Sequence, residues 1–269
     1  MSLDLEEIEP GVTRLRLRSW QGRLVGYEVS AYMLRGVLVD TGCAHGGREL
    51  AVTLNMVKPR AAVVTHWHED HAGNAAMLAA RGLPLRMHPA CEATLRTRPA
   101  IAAYRHFVWG QSARLVAPLI DADVAPLAVL ELPGHAPDHL AVWDAERRIL
   151  VSGDLFLGVK VRVAHRHESP RLLVASLRAA AALEPRVLLD AHRGPVTDAT
   201  AKLRAKMAWL GETIEAIDAR HAMGDAPRAI ARSVLGREAS VGYVSGGEYS
   251  KLAFVLAVLE ERVGGEAVG

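Results

Sequence analysis

The chain has 269 residues, half of them hydrophobic, and its 32 Lys and Arg stand against 30 Asp and Glu for a formal charge of +2. That is enough apolar material for one domain or one domain with an appendage, and it excludes disordered and collagen-like classes. The charge balance gives no electrostatic footprint for duplex nucleic acid, and the acidic opening Met1-Ser-Leu-Asp-Leu-Glu-Glu argues against export, as the lack of a long apolar run does against membrane insertion.

In chain order, short β-branched runs predict strands at 12–18, 29–34 and 37–39, with turns at Gly11, Gly22 and Gly36. Helical patterns follow over about 47–57, 70–81 and 100–110, interleaved with apolar strands ending at Thr65 and Met87. Further strands are expected at about 127–132, 139–143, 148–152 and 186–190, which together predict sheets covered by helices. After Pro195 the pattern becomes helical. Leu203, Met207, Leu210, Ile214 and Ile217 mark one amphipathic helix, with Gly224 and Pro227 just past its end. Ser245-Gly-Gly-Glu248 has the form of a capping box ahead of a stripe at Leu252, Val255, Leu256 and Leu259. The two cysteines, Cys43 and Cys91, are too few for a disulfide framework, lack Cys-x-x-Cys spacing and read as buried small apolar groups, so a cytoplasmic setting is expected.

The chemistry concentrates where the strand 61–65 runs into His66-Trp-His68-Glu-Asp70-His71. Residues two apart on an extended segment face the same way, so His66 and His68 can offer imidazoles to one cation. Asp70 and His71 are expected to begin a helix, and the change of direction lets them face a second cation. Satisfied core histidines would explain one of these side chains, not four polar groups in six residues.

This hexad resembles the signature of the metallo-β-lactamase superfamily, and the matching segments follow in order. They are Val-Leu-Val-Asp40-Thr-Gly, Leu-Pro-Gly-His135-Ala-Pro-Asp138-His139, Val-Ser-Gly-Asp154-Leu and Leu-Leu-Asp-Ala-His192-Arg-Gly. The resemblance covers about residues 10–195. It implies an α/β fold, an αββα sandwich with a helical C-terminal appendage, divided into a catalytic domain over 1–197 and a helical region over 198–269. It also implies two divalent metal ions, His66, His68 and His135 holding one and Asp70, His71 and His192 the other, with Asp154 bridging. Asp70 and Asp154 would be the catalytic carboxylates, Asp40 would orient a ligand histidine, and His139 would stand behind the ligands. A carboxylate suits the bridge because it has two oxygens and its charge offsets cation repulsion. A water shared by two such cations is acidified enough to supply hydroxide at neutral pH. Zinc suits the donors, and iron or manganese would be bound by the same set.

Within the family, Asp154 stands where antibiotic-hydrolysing members usually carry Cys or Ser. The chain therefore looks more like the glyoxalase II, lactonase and small ribonuclease-like branches, and cleavage of a small ester, thioester or lactone is expected. Phosphodiester or RNA cleavage is the runner-up. A mononuclear iron sulfur dioxygenase would need only two His and one Asp, and a non-catalytic scaffold would carry broken ligands, whereas all seven are intact. Lys160, Arg162, Arg166 and Arg193 are candidate contacts for an anionic substrate. Tyr104, His106 and Trp109 fit an aromatic lid or core packing equally, Tyr249 and Lys251 read as structural, and a homodimer is left open.

Overall fold

Alternation along the first strands determines where the apolar cores lie. In the computed structural model, which describes residues 2–266 and so leaves Met1 and 267–269 at the ends of the two expected regions outside the described residues, β1 (Ser2–Glu9) and β2 (Val12–Arg18) precede a short helix α1 (Trp20–Val25). Then come β3 (Val29–Leu34), β4 (Val37–Val39), α2 (Gly47–Val57), β5 (Ala61–Val63), α3 (Ala75–Ala80), β6 (Leu85–Arg86), α4 (Pro89–Thr97) and α5 (Ala103–Trp109). The six strands form one sheet in chain order, antiparallel from β1 to β4 and parallel from β4 to β6. Successive side chains leave opposite faces of a strand. Ala31, Met33, Leu38 and Ala62 therefore enter one core with Leu50, Leu54 and Leu78 of α2 and α3, while Tyr32, Leu34, Val39 and Val63 enter another.

The chain continues through β7 (Ala128–Glu131), β8 (Leu140–Asp144), β9 (Ile149–Gly153), the short β10 (Ala164–His165), α6 (Pro170–Ala182), β11 (Val187–Asp190) and β12 (Gly194–Val196). A five-stranded sheet runs β12-β11-β9-β8-β7, with β9 and β11 parallel. Its Val142, Val151 and Leu189 share a core with Tyr32, Val39 and Val63, so the two sheets pack face to face, as the expected sandwich requires. Both sheets lie in one unit made of the chain up to Glu131, Asp138–Asp154 and Pro185–Thr197.

A second unit comprises Leu132–Pro137, Leu155–Glu184 and the chain from Asp198 on, so two of its segments fall within 1–197. In it α7 (Ala199–Ala222) buries Leu203, Leu210, Ile214 and Ile217, with Lys206 and Thr213 on the same face. Arg171 of α6 forks onto Asp218 of α7 at 2.9 and 2.8 Å. The Lys206 ammonium, buried, donates to the Leu155 carbonyl at 3.0 Å and to that of Phe156. Beyond it stand α8 (Pro227–Ile230), a π-helical turn (Ala231–Leu235), α9 (Ser240–Val244), β13 (Tyr249–Ser250) and α10 (Lys251–Glu266), with β13 pairing with β10.

Four expectations are corrected. The helix expected over 70–81 begins only at Ala75, because the carbonyl of His71 accepts both the Thr41 N–H and its hydroxyl at 2.8 Å and is drawn away from a helical ladder. Ser245 does not cap α10. Its hydroxyl oxygen accepts the Tyr249 N–H at 3.1 Å, and the Ser250 hydroxyl oxygen accepts the Ala253 N–H at 3.0 Å. The buried face of α10 is accordingly Ala253, Phe254, Val255, Ala257 and Val258, while Leu252, Leu256 and Leu259 are half-buried. Gly22 lies within α1 rather than in a turn. β1, which the apolar pattern does not announce, is an acidic strand on a basic one, with Asp4 opposite Arg16 and Glu6 opposite Arg14.

Candidate metal centre

Asp40 follows β4 in a left-handed conformation, φ 66°, that an L-residue adopts at a cost. What holds it is its carboxylate, which accepts the Thr65 N–H at 2.8 Å, the Thr65 hydroxyl at 3.0 Å and His71 Nδ1 at 2.8 Å. The turn after β5 is thereby tied to the end of β4. Asn74 adds to this by donating to the carbonyls of Thr41 and Cys43 at 2.8 and 2.9 Å. Gly73 is needed because a Cβ there would lie 2.4 Å from the Glu69 carbonyl oxygen and 2.5 Å from Ala44 N.

The histidines of this unit are held in one consistent way. His66 Nδ1 is 3.0 Å from the Thr65 hydroxyl, His71 Nδ1 2.8 Å from Asp40 and His192 Nδ1 2.7 Å from the Glu28 carbonyl, which leaves the Nε2 atoms for the centre. His68 instead turns Nδ1 inward, 2.9 Å from His66 Nε2. Ligand atoms of His66, His68 and Asp154 lie within 4.8 Å of one another, and so do those of Asp70, His71 and His192. Asp154 Oδ1 is also 3.2 Å from His71 Nε2 and 3.4 Å from His192 Nε2, so a carboxylate grouped with the first set contacts the second. Asp70 Oδ2 is 3.3 Å from His192 Nε2. His139 Nε2 accepts the Asp154 N–H at 3.1 Å and sets the backbone that presents this carboxylate.

Burial disfavours every charge in this cluster and alone would push the imidazoles down. The carboxylates of Asp154, Asp40 and Asp70 outweigh it and hold His71 well above the ordinary histidine value, and Asp154 and Asp70 do the same for His192. Burial would likewise raise the carboxylates, but His71 and His192 hold Asp154 well below the usual range and Asp70 below it. The cluster thus draws positive charge to its centre. His71 Nε2 is buried there against the oxygens of Asp154, at 3.2 Å, and Asp70, at 3.8 Å. A divalent cation on each set would supply that charge and leave the imidazoles neutral, so the residues fit the implied metals.

His135 lies on Leu132–Pro137, in the second unit, with Nδ1 3.4 Å from Glu168 Oε2. Of the candidate substrate contacts, Lys160 and Arg162 are exposed, Arg166 is exposed and ion-paired to Glu260, and Arg193 is exposed with its N–H on Asp190 at 2.8 Å. Trp109 has its ring 6.1 Å from that of His192 and packs on the core, while His106 is exposed. The Lys251 ammonium is buried on backbone carbonyls, as a structural role requires. Both thiols are buried and unreactive, Cys43 pushed up to about 12 by burial and Cys91 well above its ordinary value by burial and Asp138.

Sequence reasoning missed an ion pair inside the hexad. Arg105 of α5 donates through Nε to Glu69 at 2.7 Å and through Nη2 at 2.5 Å, both side chains buried, with its guanidinium 5.4 Å from the Trp67 ring centre. Glu69 stands between two ligand positions and so gave a signal. Arg105, on a separate helix, gave none.

The Metallo-beta-lactamase superfamily model matches residues 25–207, more than half of the chain. The chain belongs to the metallo-beta-lactamase superfamily. Among curated relatives it is 28% identical over 207 residues to Thioesterase pkgB of Emericella nidulans, covering 70% of this chain and 53% of that one. It is 25% identical to an Atrochrysone carboxyl ACP thioesterase of Aspergillus terreus, covering 76% of this chain and 61% of the relative. The chain therefore spans about half to three-fifths of the length of these relatives. A metallo-beta-lactamase family protein from Thermus thermophilus shares the fold at a TM-score of 0.68 and 22% identity, covering 96% of this chain and 95% of that one. Among the described residues no helix is long and apolar enough to cross a membrane.

Proposed function

We propose that the chain is a dinuclear metal-dependent hydrolase of thioesters or closely related small acyl esters. The observation that carries this reading is Asp154, one buried carboxylate grouped with His66 and His68 and in contact with His71 and His192, two sets of side chains that could hold a metal. His135 is proposed as the third imidazole of the His66 and His68 set, with Glu168 orienting it as Asp40 orients His71. Two divalent cations, zinc for preference, supply when bound the Lewis acidity that activates a water and polarises an acyl carbonyl.

The chain's own residues account for the rest. Asp40 and the Glu28 carbonyl fix the orientation of His71 and His192, and His139 fixes the backbone of Asp154. Asp70 and Asp154 stay ionised, and Asp70, beside His192, is placed to take up a proton as water adds to the acyl carbon. The acyl–sulfur bond then breaks and the sulfur leaves as thiolate or thiol, giving a carboxylic acid. Thioesters are preferred because relatives bearing the thioesterase name align over most of this chain. Lys160, Arg162 and Arg193 are proposed contacts for an anionic group of the substrate. Arg166, committed to Glu260, is the weakest member of that set. The two buried free thiols suit a reducing cytoplasm.

Parallel assays of the purified protein on a thioester, an oxygen ester, a lactone, a phosphodiester and RNA test the proposal. Fastest turnover of the thioester or another acyl substrate is expected. Cleavage confined to the phosphodiester and RNA would overturn it.

A further inference from the structure

The second unit carries a recess that the hydrolase reading does not use. It has a volume of about 770 Å³ and is lined by residues of α8, the π-helical turn, α9 and the start of α10, among them Arg228, Arg232, Arg237, Glu238, Tyr243 and Lys251. Four of these six are cations and one is an anion. The Lys251 ammonium is only 8% exposed and donates to the carbonyls of Leu235, at 2.8 Å, and of Arg237, not to a carboxylate. Glu238 offsets only one of these four charges, and its oxygens accept the backbone N–H groups of Ala239 at 2.9 Å and of Lys251 at 3.1 and 3.2 Å. Among the described residues the side chains of Arg228, Arg232 and Arg237 form no ion pair or side-chain hydrogen bond.

A buried ammonium held by carbonyls, in a recess lined also by three arginines and one glutamate, gives a lining with an excess of positive charge. We propose that this recess binds a phosphorylated small molecule carrying a planar ring, a ligand of nucleotide type. Guanidinium forks match phosphate oxygens in pairs, and three forks exceed what a single carboxylate can use. The volume lies in the range of small-molecule sites. Tyr243, 75% exposed on the lining, offers an open ring face for stacking. An extended polyanion is the poorer fit, because the net charge of the chain is only +2. The site uses none of the metal ligands, so it stands or falls apart from the hydrolase reading.

Calorimetric titration of the full chain with ADP, with pyrophosphate and with a single-stranded RNA oligonucleotide tests it. ADP binding is expected, weakened about tenfold or more by the double change Arg232→Ala and Arg237→Ala. Both arginines are exposed, so the fold should survive, which a thermal melt checks. Tyr243→Ala should lower ADP affinity toward that of pyrophosphate and leave pyrophosphate unaffected. Equal ADP affinity for wild type and the double variant, no ADP binding at millimolar concentration, or tighter binding of RNA than of ADP would each overturn the proposal. Pyrophosphate binding as tight as ADP would overturn the assignment of a ring-bearing ligand.

Discussion

The turn after β5 and the basic recess of the second unit handle charge in opposite ways. In the turn nearly every polar group is answered by another of the same unit. Asp40 takes three donors, Glu69 is forked by Arg105, and His66, His71 and His192 each have Nδ1 engaged. The Nε2 atoms of His71 and His192 and the oxygens of Asp70 and Asp154 converge on one point. In the recess four cations share a lining with a single carboxylate, whose oxygens accept backbone N–H groups. The contrast teaches that a fully supported surround defines a rigid centre of fixed geometry, whereas unsupported charge marks a site whose partner must bring the counter-charge.

The largest effect that sharpens this contrast is expected at Asp154. Asp154→Ala should take turnover to background, since both sets lose their common carboxylate, while far-ultraviolet dichroism stays that of the folded chain. Unchanged activity would remove Asp154 from the centre. The next effect is on stability. Breaking the Glu69–Arg105 pair from one side, by Glu69→Gln or Arg105→Met, should cost about 3–5 kcal/mol in urea unfolding, because the remaining charge is left buried. The double variant Glu69→Leu and Arg105→Met should cost less than either. Equal losses for the single and double variants would show that packing, not charge, is what the pair supplies.

Most of the fold was legible because both faces of strands such as β3, β4 and β5 are buried and read as apolar runs between turn residues. β1 was not, since its partner face is held by Arg14 and Arg16 and its apolar pattern is weak. The candidate ligands stood out in the sequence for a different reason. Imidazole and carboxylate at fixed spacing are local in sequence, so His66, His68, Asp70 and His71 announce themselves together. Thr65 and Arg105 did not, because their roles arise from approaches across the fold that spacing cannot encode. The start of α3 was misplaced for the same reason, the His71 carbonyl being claimed by Thr41 rather than by its own helix.

A smaller effect should separate the two donor sets. Asp40→Asn should weaken metal binding by about 10–100-fold, measured by competition with a chelator, and the loss should fall on the set containing His71. Equal weakening of both sets would mean that Asp40 acts through the whole turn.

The smallest effect concerns acid stability. Asp144 is buried, which alone would raise it, but Arg35 at 2.8 Å and the Arg147 N–H hold it below the usual carboxylate range. A carboxylate whose value is lower folded than unfolded stabilises the fold above its unfolded value, and that contribution disappears as pH falls through the folded value. Asp144→Asn should therefore lower stability by about 1–3 kcal/mol near neutrality and by much less at acid pH. An equal loss at both would assign the effect to shape.

Metal stoichiometry tests the central claim most directly. Elemental analysis of the gently purified protein should give about two transition-metal ions per chain, with one retained in His192→Ala and fewer than one in Asp154→Ala. A single iron per chain, unchanged by His192→Ala, would contradict a centre built from two donor sets that share one carboxylate.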